Sequence, residues 1–491
     1  MKLDELIEYL QYDDLINFKN VEISGISYNS KTTKKGDIFI CLVGEHTDGH
    51  EYAQMAIDNG AAALLVERKV PDVKVPQVQV DSTRHKIADI ADRFYSSPSK
   101  GINLIGITGT NGKTTVTHLI QKIFEENHQR CALIGTLGYK LSSNGEYRDA
   151  KHTTPQAPEL QATLRMIKDV EKIDNVVMEV SSHALEQNRV GGCRFNGAVF
   201  TNLTQDHLDY HITMENYFKA KALLFERLAE GTFAVINRDD EYGDRFVGIV
   251  PEGVRKYTYG VKNSADLMAK DIKFSLNGAE FKLLYKGETY SVNLHMNGMF
   301  SVYNVLAALT AAVAMDIDIK IALKAMENVH GVAGRFEVVN KKPLVIVDYA
   351  HTPDGLENVL KSAREITPPD GKLICLFGCG GDRDATKRPK MGAIAQKLAD
   401  KIVITSDNPR SEDPQQIITD ILAGLKSVNP DIVVVEPDRG EAIALLKTIA
   451  NNNDVVILAG KGHEDYQILK DKTIHFDDRE QARKVFAGSV I

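Results

Sequence analysis

The sequence predicts an α/β protein in three domains, and three observations carry that prediction. The first is size: 491 residues exceed one ordinary domain, and typical domain lengths suggest about three. The second is the order strand, glycine-rich loop, helix that begins at residue 102, "NLIGITG" followed by "TNGKTTVTHLIQKIFEEN". The third is a final region in which strand-like runs alternate with helical stretches of about a dozen residues, the signature of βαβ units around a mainly parallel sheet. Hydrophobic residues at 43% and charged residues at 26% supply ordinary cores rather than disorder.

In residues 1–100, the β-rich "GDIFICLV" and "AAALLVE" flank the helical "HEYAQMAIDNG". "STRHKIADIADRFYSSPSK" then reads as a helix running into a Ser/Pro/Gly boundary near 97–101. Residues 101–335 add strands at "NVVMEV" and "GAVFTNL", a long helix at 214–230 and a core helix at "VLAALTAAVAM" (305–315), closing at "HGVAGRFE". Residues 336–491 hold the strand-like "LVIVDYA", "KLICLFG", "KIVITSD", "DIVVVEP" and "DVVILAG". Ligands of such sheets gather beyond the carboxyl ends of the strands. The loops there, "HTP", "GCGGDRD", "DNPR" and "GKGHED", are polar or glycine-rich, as a binding edge requires.

Several function classes are disfavoured. A net charge of −8 argues against nonspecific nucleic-acid binding, so positive charge for anionic ligands must be gathered locally. "MKLDELIEYL" lacks the basic-then-apolar pattern of a signal peptide, and the longest apolar run falls far short of the roughly 20 residues of a membrane span. Five cysteines, an odd number set mostly in apolar runs, suit a reduced cytoplasm and a packing role. Cys375 and Cys379 have no second ligand pair nearby, which disfavours zinc. Arg383 replaces the third glycine that a dinucleotide fingerprint needs after Gly378 and Gly380. There is no internal repeat.

The stretch "ITGTNGKTT" (107–115) looks like a phosphate cradle, although Ile107 stands where the general P-loop pattern has its first glycine. Backbone N–H groups from Gly109 to Thr114, at a helix N-terminus, are expected to wrap a triphosphate. Lys113 would neutralise the β/γ oxygens and the Thr114 hydroxyl would ligate Mg²⁺. On a helical wheel through "MENYFKAKALLFERLAE", Met214, Tyr217, Phe218, Leu224, Phe225 and Leu228 all lie within about 60° of Lys221, with Lys219 opposite. An unpaired ammonium on an apolar face is costly and its pKa should fall; a neutral amine there can take up CO₂ as a carbamate. The competing outcome is a lysine that reaches out to solvent. Glu179 and His207 end strands beside the loop and are candidate metal partners.

"GTNGKTT" resembles the ATP loop of the Mur ligases and folylpolyglutamate synthases, amide-forming enzymes that use ATP. Matching segments run in order along essentially the whole chain and point to the Mur ligases that add the third residue of the peptidoglycan peptide. The resemblance implies an N-terminal UDP-binding domain, a central P-loop ATPase-like domain and a C-terminal Rossmann-like domain in a cytoplasmic, monomeric enzyme. It implies that Gly109, Thr110, Asn111, Gly112, Lys113, Thr114 and Thr115 hold ATP, with Asn297 and Asn304 on the adenine side and Arg335, Asp348 and His351 near phosphate and ribose. It makes Lys221 a carbamylated lysine that holds Mg²⁺ with Thr114, Glu179 and His207. Ser30, supported by the Gly44–Asp48 turn, would contact UDP; Lys31 stands where the family often has arginine. Thr153, Thr154, Ser181 and Arg189 would hold the muramoyl-dipeptide of UDP-MurNAc-L-Ala-D-Glu, Arg189 as a two-pronged partner for a carboxylate.

The amine to be added is decided by the last domain. Meso-diaminopimelate carries a carboxylate and an ammonium at its far end, whereas L-lysine carries only the ammonium. Two arginines, Arg388 and Arg410, would repel a purely cationic end. Asp407, Asn408, Pro409 and Arg410 spell the D-N-P-R motif associated with diaminopimelate-adding enzymes, and Gly460 and Glu464 would take the distal amine. The expected reaction is therefore ADP-forming ligation of diaminopimelate through an acyl phosphate. The rivals are the same ligation with L-lysine and a P-loop NTPase that drives partner assembly.

Overall fold

Three large β-sheets follow one another along the chain, with a two-stranded ribbon of Tyr466–Ile468 and Thr473–His475 after the last, and the carboxyl edges of the large sheets carry the loops singled out above. The computed structural model describes residues 1–44, 47–148, 152–275, 278–329 and 331–487. Glu45 and His46 of the Gly44–Asp48 turn, Lys151 of "KHTT" and His330 of "HGVAG" lie outside the described residues.

The first sheet has five strands in the order Asp14–Ile16, Gln77–Gln79, Ala63–Val66, Asp37–Ile40, Gly25–Ser27, parallel except for Asp14–Ile16. Helices Leu3–Ile7 and Thr83–Phe94 pack Leu3, Leu6, Ile87, Ile90 and Ala91 against Ile38, Ile40 and Leu65. Helix Ala53–Asp58 covers Phe39 and Leu64 on the other face. Ser82 caps the N-terminus of Thr83–Phe94 by accepting from the His85 N–H, which satisfies one otherwise orphan donor.

The second sheet has ten strands. Its parallel centre places Asn103–Thr108 between Asn175–Glu179 and Gly197–Phe200. Helices Lys113–Glu126 and Met299–Ala314 bury one face, while Ala157–Asp169 and Met214–Glu226 bury the other. Met299–Ala314 is apolar almost all round because it lies between that sheet and further helices. The helix expected over 214–230 ends at Glu226. Beyond it the chain tightens into turns, Leu228 N–H to Phe225 O and Thr232 N–H to Ala229 O, the second of which contains left-handed Gly231. An antiparallel extension of Leu267–Ser275, Gly278–Tyr285 and Glu288–Leu294, absent from the sequence reading, completes one edge. Its alternating burial marks strands with one face on the core and one toward solvent.

The third sheet has six strands in the order Glu337–Lys341, Leu344–Asp348, Val455–Ala459, Leu373–Phe377, Lys401–Ile404, Val433–Val435; all pair in parallel except Glu337–Lys341. The strand latest in sequence is thus inserted between the two earliest parallel ones. That crossover brings the loops after Asp348, Phe377 and Ala459 side by side, the condition for a site at a topological switch point. Among the described residues no helix is long and apolar enough to cross a membrane.

Candidate active site

The phosphate-like loop leaves the central strand of the second sheet and enters helix Lys113–Glu126 through Gly112, at φ 89°. A side chain at residue 112 would be strained by that backbone and would place its Cβ 2.4 Å from Asn304 Oδ1. The cradle is narrower than the sequence suggests. The N–H groups of Thr110 and Asn111 are already bonded to Asn202, at its carbonyl oxygen (2.8 Å) and Oδ1 (2.9 Å). The N–H groups left for an anion are those at the helix N-terminus, where the backbone dipole favours one.

Lys221 lies on the buried side of its helix, as the wheel predicted, and is only 1% exposed. Its Nζ donates to Gly109 O at 2.9 Å and lies 4.5 Å from the Tyr217 ring centre. Half-buried Lys113 donates to the same oxygen at 2.9 Å and to Thr110 O at 2.8 Å. Desolvation, then the proximity of Lys113, lowers the Lys221 pKa well below the ordinary lysine value. Desolvation lowers that of Lys113 too.

Two cavities meet at this loop. One, of about 300 Å³, is lined by Asn111, Gly112, Thr115, Asn304, Arg335 and Asp348, among others. The other, of about 670 Å³, brings together groups from both later sheets. From the second come Thr110–Thr114, Thr153, Glu179, Ser181 and His207; from the third come His351, Asp407, Asn408, Arg410, Gly460 and Glu464. Arg335 belongs to both cavities and donates from Nη2 to Thr114 Oγ1 at 3.1 Å. Asn111 Nδ2 reaches Asp354 Oδ2 at 3.0 Å, a second tie between the phosphate loop and the last region.

Glu179 is buried, with its oxygens accepting from the N–H (3.0 Å) and hydroxyl (2.9 Å) of Thr136. His207, in the left-handed conformation at φ 53°, points Nε2 at Asp206 Oδ2, 3.3 Å away. Desolvation and the neighbouring His183 and Lys221 hold its pKa below the ordinary value against the pull of Asp206. Among the described residues, no three His, Cys, Asp or Glu side chains converge as a ready-made metal cage.

At the far end of the larger cavity Asn408 Nδ2 donates to Glu464 Oε2 at 2.8 Å. Fully buried Lys461 lies 3.6 Å from Asp407 Oδ1 and 3.3 Å from Glu464 Oε2. Desolvation, then the Asp407 charge, raises the Glu464 pKa.

Some expected residues stand elsewhere. Arg388 is a correction: it is 2% exposed and does not line the cleft, because its guanidinium is held inside by Glu412 and Asp420, each at 2.8 Å. Arg383, considered only as the breaker of a dinucleotide motif, lines the cleft instead. Arg189 spends three donors within the chain, on Gln187 Oε1 (3.1 and 2.7 Å) and Thr154 O (3.1 Å). Thr154 is buried with its hydroxyl on Glu179 O at 2.9 Å, so it shapes the cleft from behind. Pro409 and Asn297 line neither cavity, although Asn297 Oδ1 is buried without a partner among the described residues. Ser30 is buried in the first region, its hydroxyl on the Met55 sulfur at 3.3 Å. Asp206, Asp354 and Lys461 were missed. Lys461 lies inside the quoted "GKGHED" and Asp206 stands directly before His207, but a lone acid or lysine in a polar loop gives no sign of burial.

Comparison with known proteins agrees with this arrangement. Residues 22–95 match the profile described as "Mur ligase family, catalytic domain", 107–312 "Mur ligase middle domain" and 334–462 "Mur ligase, glutamate ligase domain". A curated relative from Syntrophomonas wolfei, named UDP-N-acetylmuramoyl-L-alanyl-D-glutamate--2,6-diaminopimelate ligase, is 45% identical over 100% of both chains. A solved structure titled with the same activity is 33% identical, covers 100% of this chain and 99% of its own, and superposes with a TM-score of 0.70. A Thermotoga maritima MurF ligase in complex with ADP shares the fold at a TM-score of 0.65, with 18% identity over 96% of this chain and 98% of its own. Full-length identity of this order, over a chain whose two later sheets meet at one phosphate-loop cleft, shows that it belongs to the Mur ligase family.

Proposed function

We propose that this chain is an ATP-dependent ligase that joins meso-diaminopimelate to the D-glutamate of UDP-MurNAc-L-Ala-D-Glu, a step in building peptidoglycan precursor. One observation carries the reading: a single cleft is lined by the phosphate loop, by Thr153 and Ser181, and by the D-N-P-R and "GKGHED" loops of a separate sheet. A nucleotide-driven motor has no use for the last set. Residues 1–100 would receive the UDP precursor, 101–335 ATP, and 336–491 the amino acid. The reading is of a monomeric enzyme that works in the cytoplasm.

In the reaction the substrate carboxylate attacks the γ-phosphorus of ATP, ADP leaves and an acyl phosphate forms. The diaminopimelate amine then attacks the carbonyl, and a tetrahedral intermediate collapses to the amide, phosphate and a proton released to solvent. The protein brings two anions together and supplies positive charge, with no covalent step of its own. Lys113 and the helix N-terminus hold the phosphates, and Arg335 bridges the two cavities beside them. Asn304 borders the nucleotide cavity with Asp348, while His351 faces the reaction side. The donor set fits Mg²⁺: the Thr114 hydroxyl, the Glu179 carboxylate and a neutral His207 imidazole open on one cleft, and a Lys221 amine with lowered proton affinity suits carbamate formation. Those four groups would hold Mg²⁺, which supplies charge neutralisation between the carboxylate and the γ-phosphate. At the other end Arg410 meets the distal carboxylate, and Glu464 with the Gly460 carbonyl meets the distal ammonium.

The test is phosphate release from ATP, followed by mass spectrometry of the product. Release should require both the UDP precursor and the amine, and the product should gain one diaminopimelate residue. Release without an amine would sink the ligase reading; equal rates with L-lysine would sink the amine assignment.

A further inference from the structure

Arg410 lines the cleft from a loop that is fastened to its neighbour by side chains the chemistry above does not use. Arg410 and Asp382, across the two loops, both have φ 53°, a conformation non-glycine residues adopt at a cost and keep only where surrounding contacts impose it. The contacts are present. The Asp382 carboxylate accepts the Ser411 N–H at 3.1 Å and the Ser411 hydroxyl at 2.7 Å. Glu412 Oε1 accepts from the Asp382 N–H and, at 2.8 Å, from Arg388 Nη2, whose other arm reaches Asp420. Gly381 N–H donates to Asn408 O at 2.9 Å, and Arg410 Nη1 returns to Gly381 O at 2.8 Å. This approach is possible only because residue 381 is glycine: a Cβ there would sit 2.0 Å from Pro409 O.

We infer that Asp382, Ser411 and Glu412 are positioning residues for amine selection, a clasp that locks the two loops and so aims the Arg410 guanidinium at the far carboxylate of the incoming amino acid. The inference rests on the diaminopimelate reading of the cleft. It gives buried Arg388 a place in selection without contact with substrate, as the anchor of Glu412. A loosened clasp removes a partner from diaminopimelate but nothing from L-lysine, which has no distal carboxylate. General loosening of the domain would penalise both amines alike.

The experiment compares the full-length protein with Ser411→Ala and Glu412→Gln, and uses Ser411→Thr as the conservative control that keeps the hydroxyl. Steady-state product formation is measured with meso-diaminopimelate and with L-lysine, alongside Tm. With the hydroxyl's hydrogen bond to an ionised carboxylate removed and the backbone N–H bond kept, the KM for meso-diaminopimelate should rise about tenfold in Ser411→Ala. The kcat and the KM for ATP and precursor should stay within about twofold, and the preference over L-lysine should fall by about the same tenfold. Ser411→Thr should restore both. Parallel changes for the two amines, or an unchanged preference in both folded variants, would overturn the clasp while leaving the ligase reading intact. A wild-type protein that uses neither amine would overturn the ligase reading, and the clasp with it.

Discussion

At the phosphate-loop end of the cleft, Lys113 and Lys221 share the Gly109 carbonyl and have no ion-pair partner among the described residues. At the amine end, Lys461 is equally hidden but lies between Asp407 and Glu464, and Arg388 is held by two carboxylates. The contrast follows the charge of what each end is proposed to receive. A triphosphate and a carboxylate bring negative charge, so Lys113, held only by backbone carbonyls, leaves its field available, while Lys221, whose burial lowers its proton affinity, is left for the proposed carbamate. A doubly charged, net-neutral amino-acid end needs both signs fixed in place, and there the protein has compensated its cations internally.

Four substitutions can break or sharpen this comparison. The largest effect is expected at the uncompensated end. Lys221→Ala should lower kcat by about a hundred- to a thousandfold, the scale for losing one preorganised charge-stabilising group. Phosphate-release assays check this, and added short-chain carboxylic acids should restore part of the rate. A near-wild-type rate at physiological bicarbonate would remove the carbamate from the argument.

Next in size is Arg388→Met, which strands Glu412 and Asp420 and should cost about 3 kcal/mol of stability. Chemical denaturation measures it; a fully stable variant with a selective defect toward diaminopimelate would return Arg388 to direct substrate contact. Arg410→Lys should cost less, about a tenfold rise in the KM for diaminopimelate, because an ammonium cannot reproduce the guanidinium fork. Competition between the two amines is the sensitive readout. Equal loss with L-lysine would mean that Arg410 does not read the distal carboxylate.

The smallest effect concerns the wall of the nucleotide cavity. Burial raises the Asp239 pKa, but the N–H groups of Val261, Asn263 and Lys262 and the Tyr303 hydroxyl outweigh it, and the net direction is down. A carboxyl depressed on folding stabilises above its unfolded pKa and loses that stabilisation as pH falls through its folded value. Asp239→Asn should therefore cost about 1 kcal/mol near neutrality, after solvent screening, and almost nothing in acid. Urea melts at two pH values decide it, and a deficit that does not shrink in acid would rule out the ionic explanation.

Much of this was legible in the sequence because it depends on local order. Strand–loop–helix around Gly112 announces a phosphate loop, and six apolar residues on a helical wheel place Lys221 on the apolar face, although the wheel alone also allows a lysine that reaches out to solvent. The regular alternation after residue 336 predicts a parallel sheet and the edge its loops share. Each of these follows from periodicity or from a turn that only certain residues can make.

What the sequence left open depends on contacts between distant segments. Nothing in "DVVILAG" says that Val455–Ala459 slides between Leu344–Asp348 and Leu373–Phe377, yet this insertion sets Lys461 and Glu464 against Asp407. Arg388 and Arg410 are equally plausible ligands in one dimension; only packing puts two acids beside the first and leaves the second facing the cleft. The N–H groups of Thr110 and Asn111 look free until Asn202 arrives from the loop after the neighbouring strand Gly197–Phe200. Local pattern states which way a side chain leans relative to its own element. Whether a charge ends up spent or available is decided by the neighbour that the fold brings to it.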